Sequence, residues 1–149
     1  MIKPRITKKH LQALLPNTTG SVGLKGLKGS VDVYRDQYGI PHVRASFVED
    51  AFFGQGFVTA QDRLWHMEYE RRFVYGKWAE YVGESALEQD MTMRRFQVHR
   101  SVVADYAALN AETTTILDAY AAGVNAFIES TTVLPIEYSL VGAEPEKWE

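Results

Sequence analysis

Three groups of residues have the types and spacing that suggest chemistry. Asp62, His66 and Glu70 lie four apart, so a helix would line them up on one face, and all three are residue types that bind metals. Zinc wants three well-placed ligands, usually in His-rich or His–Glu sets, and this run lacks the H-E-x-x-H order. It is read as an i, i+4 ladder of hydrogen-bonded and charged side chains, with Glu68 and Arg72 as a second pair of the same kind. His42 lies near Asp36 and Arg35, which raises a Ser/His/Asp arrangement, yet the sequence places no nucleophile next to it. Because His42 follows Pro41 on an extended segment, it is read as a ring fixed by hydrogen bonds to backbone or carboxylate, holding a hairpin against a helix. Glu137 and Glu144 have no partner pattern and read as surface carboxylates. No complete catalytic constellation is legible in the 149 residues.

The elements that would position these residues begin at Val31. Val31 and Val33 alternate with Asp32 and Tyr34, the period of a half-buried strand. Asp36-Gln37-Tyr38-Gly39 has Asp at the first and Gly at the last place of a type I turn, so residues 40–45 return as a second strand with Pro41 at its edge or first position. Such a hairpin is not stable alone and is expected to add to a larger sheet. Ser46-Phe47-Val48-Glu49 forms a capping box that predicts a helix from Phe47. Phe53, Phe57, Ala60, Leu64, Met67, Val74 and Trp78 make its buried stripe, widened by Trp65, Tyr69 and Phe73. Gly54 and Gly56 each cost roughly 1 kcal/mol relative to Ala in a helix, which points to close approach of another backbone.

Around this stretch the pattern is simpler. Thr7 caps a short amphipathic helix carrying Leu11, Leu14 and Leu15 before Pro16 stops it, and Lys3, Arg5, Lys8 and Lys9 read as its solvated end. Residues 17–29 are a Gly/Ser/Thr-rich linker, and GLKGLKG has neither phosphate-binding pattern. Residues 84–109 read as one or two helices with Met93, Phe96, Val103 and Tyr106 buried. Asn110 caps the next helix, whose core stripe is Leu117, Tyr120, Val124 and Phe127, with Gly123 at a tight crossing. Beyond Ser130 the periodicity stops, and the rest reads as an extended piece followed by a turn.

Composition limits the classes. With 46% hydrophobic and 12% aromatic residues the chain can bury a sizeable core, and a net charge of −3 with both signs interspersed gives no footprint for nucleic acid. The absence of cysteine excludes disulfides and thiolate metal sites. No run is long and apolar enough for a membrane span. Residues 1–17 carry Lys and Arg without the apolar run of an export signal, which reads as a cytoplasmic protein or one whose leader has been removed.

The runs YRDQYGIPHVRA, GQGFVTAQDRLWHMEYERR, GKWAEYVGESALEQD, ILDAYAAGVNAFIE and LPIEYSLVGAEPEKW, in that order, resemble the N-terminal part of the penicillin acylase (penicillin amidase) family, which includes acyl-homoserine-lactone and cephalosporin acylases. The resemblance runs from about residue 22 to the end. It implies an α+β N-terminal nucleophile hydrolase with an αββα core when complete, of which this chain is the mostly helical α-subunit, or its first part, with a short β-hairpin. Residues 1–29 form an N-terminal helix and linker, and residues 30–149 the α-subunit region.

The resemblance further implies a β-subunit partner whose N-terminal Ser is the nucleophile and whose own α-amine is the base, acting on a small N-acyl substrate such as a penicillin or an acyl-homoserine lactone. No catalytic or metal-binding residue is assigned to this chain, which alone is expected to be inactive. Its acyl-pocket side chains are expected after the turn matched by Glu146-Lys147-Trp148. Calcium, used by some members, would have its ligands elsewhere. Tyr34, Arg35, Asp36, Gly39, Pro41 and His42 take the hairpin role by match of motif, and Gln61, Asp62, Arg63 and Trp65 tie the long helix to the rest of the fold. Family members are usually exported to the periplasm or medium, whereas no signal is legible in residues 1–17. The alternative from another class is a non-catalytic helical interaction domain that keeps the acylase scaffold.

Overall fold

The computed structural model describes residues 6–149. In chain order the elements are α1 (Lys8–Ala13), β1 (Val31–Arg35), β2 (Pro41–Ala45), α2 (Val48–Val74), α3 (Ala79–Val82), a 3₁₀ turn (Gly83–Ala86), α4 (Leu87–Phe96), α5 (Val98–Ala107), α6 (Ala111–Ser130) and α7 (Ile136–Val141). The chain is therefore mostly helical, with a two-stranded antiparallel sheet among the described residues. It divides into two compact units, each built from three segments of the chain, and α2 passes from one to the other between Asp62 and Arg63. Arg63 itself departs from helical backbone, with φ −139° and ψ 15°, inside α2.

The first unit comprises Pro16–Asp62, Asn110–Thr132 and Glu146–Glu149. Its hairpin pairs Val33 with Val43 and Tyr34 with His42. The turn closes with the Gly39 N–H donating to the Asp36 carbonyl at 2.9 Å, while the Asp36 carboxylate accepts the Tyr38 and Ile40 N–H groups. Gly39 has φ +78°, a value glycine takes without steric cost. Among the described residues the sheet has two strands and is seated on α2: a Cβ on Gly54 would come within 2.8 Å of both Val31 and Val43 side chains. The first backbone bond of α2 runs from Ala51 N–H to the Phe47 carbonyl, so the helix starts at Val48, one residue later than the capping box suggests.

Two glycines set the crossing of α2 with α6. A methyl on Gly123 would collide with the Phe53 carbonyl group, and one on Gly56 with that of Tyr120. The two backbones thus lie against each other at both points, and the apolar side chains around them close the core: Phe53, Val58, Ala60, Val124 and Phe127 are buried. Phe57 is half-buried and meets Phe127 edge to face at 5.5 Å between centroids. Asn110 caps α6 by accepting the Thr113 N–H at 2.8 Å. Asp50, buried in the first turn of α2, accepts the Lys28 and Gly29 N–H groups at 2.9 and 2.8 Å and so holds the linker down.

The second unit comprises described residues 6–15 with Arg63–Leu109 and Val133–Pro145. Thr7 caps α1 by accepting the His10 N–H. Trp65 stacks on Tyr81 with rings 9° apart and meets Tyr138 edge to face at 5.0 Å, and Trp78 joins the same group. The buried Asp90 carboxylate accepts the Trp78 and Ala79 N–H groups, satisfying donors at the start of α3 that no helical carbonyl reaches.

Three expectations change at this level. Residues 136–141, expected as extended, form α7: the Tyr138 N–H bonds the Pro135 carbonyl, Gly142 closes the helix in left-handed backbone, and Tyr138 is buried. Burying that phenol among Trp65 and its neighbours stabilises a helix too short to show a period. Residues 84–109 do form helices, separated at Gln97 by a left-handed backbone (φ 54°), but Phe96 is 72% exposed and Val103 and Tyr106 are exposed as well. Leu117 is likewise exposed. Periodicity identifies side chains that share a face, not whether that face is covered.

Candidate functional site

Arg35, the last residue of β1, is the centre of the most heavily bonded polar set on the hairpin. Its Nη1 donates to Asp62 Oδ2 at 2.9 Å and its Nη2 to Asp62 Oδ1 at 2.8 Å, a two-point fork. Nη2 also reaches Gln61 Oε1 at 2.7 Å and Nη1 the Gly39 carbonyl at 2.9 Å. Gln61 passes the connection on, its Nε2 donating to the Asn17 carbonyl at 2.9 Å. One guanidinium therefore joins strand, turn, helix and linker.

His42 lies on β2 opposite Tyr34, and the two rings stack at 4.6 Å between centroids and 8°. Its Nε2 lies 3.3 Å from Asp36 Oδ2. This braces the hairpin within itself, and it is Arg35, not His42, that joins the hairpin to the helix. Partial burial raises the Asp36 carboxyl, but the Ile40 N–H, His42 and the Tyr38 N–H together hold it below its ordinary value. Pro41 opens β2 opposite Arg35. With Val43, Ala51, Phe52 and Gln55 it lines a shallow depression of about 300 Å³ that contains no ionisable group.

Of the ten residues singled out in the sequence, Tyr34, Arg35, Asp36, Gly39, Pro41, His42, Gln61 and Asp62 come together in the first unit. Arg63 and Trp65 belong to the second, where Arg63 is exposed and Trp65 sits in the aromatic group. The bonded set around Arg35 and His42 includes no serine or threonine, so its chemistry is that of a permanent cation and a carboxylate holding backbone. Asp62 is bonded to Arg35, which leaves His66 and Glu70 as an exposed pair at 3.7 Å. Among the described residues no three of His, Asp and Glu gather in a way that could hold a metal.

The second unit holds a buried charge network of which the sequence showed only one link. Glu68 is fully buried and accepts from Arg71, from Arg72 Nε at 2.6 Å and from the Tyr81 hydroxyl at 3.3 Å. Arg72 also donates to Glu80 at 2.7 Å and lies 3.8 Å over the Tyr81 ring. Burial pulls the Arg72 guanidinium down, but the Glu68 bond, the Tyr81 and Glu68 charges and the Glu80 bond carry it above its ordinary value. Burial, followed by the Glu68 charge, pushes the Tyr138 phenol well up. Also missed was Asn125, whose side chain bonds both main-chain groups of Trp148 at 2.8 Å. A partner 23 residues away leaves no local signal, whereas Asp50 in the first turn of a helix is a position where a carboxylate is expected to find N–H groups.

Residues 30–149 match the family model described as penicillin amidase. Over 142 residues, 95% of this chain, the sequence is 49% identical to the penicillin acylase 2 proenzyme of Pseudomonas sp. (strain SE83), of which it spans 18%. Over 124 residues, 80% of the chain, it is 38% identical to penicillin G acylase of Escherichia coli and spans 15% of it. Over 140 residues, 93% of the chain, it is 35% identical to acyl-homoserine lactone acylase QuiP of Pseudomonas fluorescens and spans 17% of it. The solved structure of a thermostable penicillin G acylase from Alcaligenes faecalis matches with a TM-score of 0.71 at 35% identity, over 79% of this chain and 65% of that one. The chain thus spans less than a fifth of the length of these curated relatives.

Proposed function

The chain belongs to the penicillin amidase family, and from that membership we propose that it is part of the α-subunit of an acylase that hydrolyses a linear amide bond. The observation that carries the proposal is the 49% identity to a penicillin acylase proenzyme, sustained over 95% of the chain. The bonded set around Arg35 supports a scaffolding role, since every group in it is committed to another part of the same unit.

In this reading the nucleophile is the N-terminal Ser of a separate β-subunit. Its Oγ attacks the amide carbonyl while its own α-amine takes the proton, and the amine leaves with a proton returned to it. Water then releases the acid from the acyl-enzyme. The present chain holds the hairpin and long helix in place, and segments following Trp148 complete the acyl pocket. The substrate is a small N-acyl compound, a penicillin or an acyl-homoserine lactone. Calcium, where the whole protein uses it, is held outside this chain and takes part in no step above.

Mass spectrometry and N-terminal sequencing of the product of the full gene test the proposal, together with hydrolysis assays on both substrate types. A second chain beginning with Ser, with release of free acid, is the expected result. A second chain beginning with a residue other than Ser, Thr or Cys would overturn the mechanism. A single unprocessed chain without hydrolysis would leave a helical interaction scaffold.

A further inference from the structure

Two identical tripeptides, Leu24-Lys25-Gly26 and Leu27-Lys28-Gly29, stand back to back ahead of β1. A protease that reads lysine meets the same residues on both sides of either bond, yet the fold treats the two differently. The structure assigns the Lys25–Gly26 bond as a proteolytic processing site, open to a lysine-directed serine protease in the folded protein, with the Lys28–Gly29 bond closed to it.

Every group such a protease needs at Lys28 is engaged. The Lys28 N–H donates to Asp50 Oδ1 at 2.9 Å, and the Gly29 N–H, the nitrogen of the bond to be cut, donates to Asp50 Oδ2 at 2.8 Å. Asp50 is 1% exposed, so drawing this stretch into a protease cleft strips a buried carboxylate of two donors at once. The Lys28 ammonium donates to Glu49 at 2.7 Å and lies 5.9 Å from the centre of the Phe47 ring. Three residues earlier these ties are missing. Lys25 and Gly26 are exposed, and among the described residues neither makes a hydrogen bond or an ion pair. A Cβ on Gly20 or Gly23 would meet nothing within 4 Å, and one on Gly26 would touch only the Phe53 ring, at 3.5 Å. The chain is fastened at Asn17, whose carbonyl accepts from Gln61, and again at Lys28, so residues 18–27 form the open span between. Exposed spans of small and polar residues without backbone bonds are where nicking concentrates.

The cut adds one water across the amide, leaving a carboxylate on Lys25 and a free α-amine on Gly26. Asp50 continues to hold Lys28 and Gly29 downstream of it, so the hairpin keeps its seat. What is severed is the covalent connection to α1, a helix with no buried residue.

Lysyl endoprotease, added at a low ratio to the folded full-length protein, tests the assignment, with fragments identified over time by mass spectrometry. A synthetic peptide of residues 18–35 supplies the reference, since in it the two tripeptides are equivalent and should be cut at similar rates. In the folded protein the cut after Lys25 should outpace that after Lys28 by on the order of a hundredfold. Lys25→Gln should abolish the early cut, whereas Lys28→Gln should leave it unchanged. The Gly29 amide should stay protected from hydrogen exchange once the chain is nicked. Equal rates at the two bonds in the folded protein, or a Lys25–Gly26 bond that survives until the protein unfolds, would overturn the assignment. Loss of protection at Gly29 after the cut would overturn it as well, because the nick would then unravel the segment instead of trimming it.

Discussion

Arg35 and Asp62 meet fork to fork across 27 residues, with both nitrogens of the guanidinium end matched to the two carboxylate oxygens at 2.9 and 2.8 Å. Both side chains are partly shielded, 20% and 30% exposed, so water competes for these bonds less than at an open surface. The geometry needs a planar cation. A lysine ammonium is a point charge and would reach one oxygen while losing Gln61 and the Gly39 carbonyl.

Arg35→Lys is therefore expected to destabilise the full-length protein by about 1–2 kcal/mol despite conserving charge. The midpoint of urea unfolding measures it, and a midpoint equal to that of the unchanged protein would show that charge alone suffices.

Glu68 is expected to be the most sensitive polar position in the second unit. Glu68→Ala leaves Arg72, which is only 4% exposed, without its buried counter-charge, and Glu80 offers only a partner whose side chain is more than half exposed. The cost should be about 3–5 kcal/mol. Thermal unfolding of the variant reads it directly, and a loss below about 1 kcal/mol would place the pair among ordinary surface bridges.

Gly123→Ala should separate α2 from α6. Its methyl would lie 2.8 Å from the Phe53 carbonyl carbon, and backbone, unlike a flexible side chain, cannot swing aside. A loss of about 1–3 kcal/mol is expected. Equal stability of the alanine variant in denaturant would mean that the crossing is looser than drawn.

Tyr138 gives the protein an alkaline limit. Its hydroxyl is buried with no hydrogen-bond partner, and burial raises the phenol above the ordinary 10.0. Between the ordinary and the raised value the unfolded chain has lost the proton while the folded chain keeps it, so stability is full below pH 10.0 and falls as pH rises through the folded value. Tyr138→Phe removes both the titration and an unpaired polar atom. Its melting temperature should match or exceed that of the parent at pH 8 and fall less steeply above pH 10.0. An identical alkaline decline in both proteins would assign it to other groups.

Short-range chemistry made much of this fold legible in the sequence. The Asp36 to Gly39 turn and the Asn110 cap each follow from residues within a few positions of one another, a glycine inside a helical pattern marked the crossing at Gly123, and all three are present. The sequence was silent where the partner is distant or the element short. Helix α7 spans only six residues, so Pro135 before it and Gly142 after it were its sole signs. The Glu68–Arg72 pair was legible as a spacing, but its burial depends on Tyr81 and Tyr138, which come from other elements. On the hairpin, the fork joining Arg35 to Asp62 needed the folded register, since nothing in the spacing of 27 residues distinguishes Asp62 from Glu70 as the partner.

The aromatic group has a use outside stability. Of the three tryptophans, Trp65 and Trp78 stand 5.8 Å apart in the second unit, and Trp148 is the sole indole of the first. The indoles of this chain thus divide between the two units. With Trp148→Phe, emission from this chain would come from Trp65 and Trp78 of the second unit, and with Trp65→Phe and Trp78→Phe it would come from Trp148, whose backbone Asn125 holds. The stacking of Trp65 on Tyr81 should also give a near-ultraviolet dichroism that vanishes when that packing loosens, so the order in which the two units melt can be read from light without adding a label.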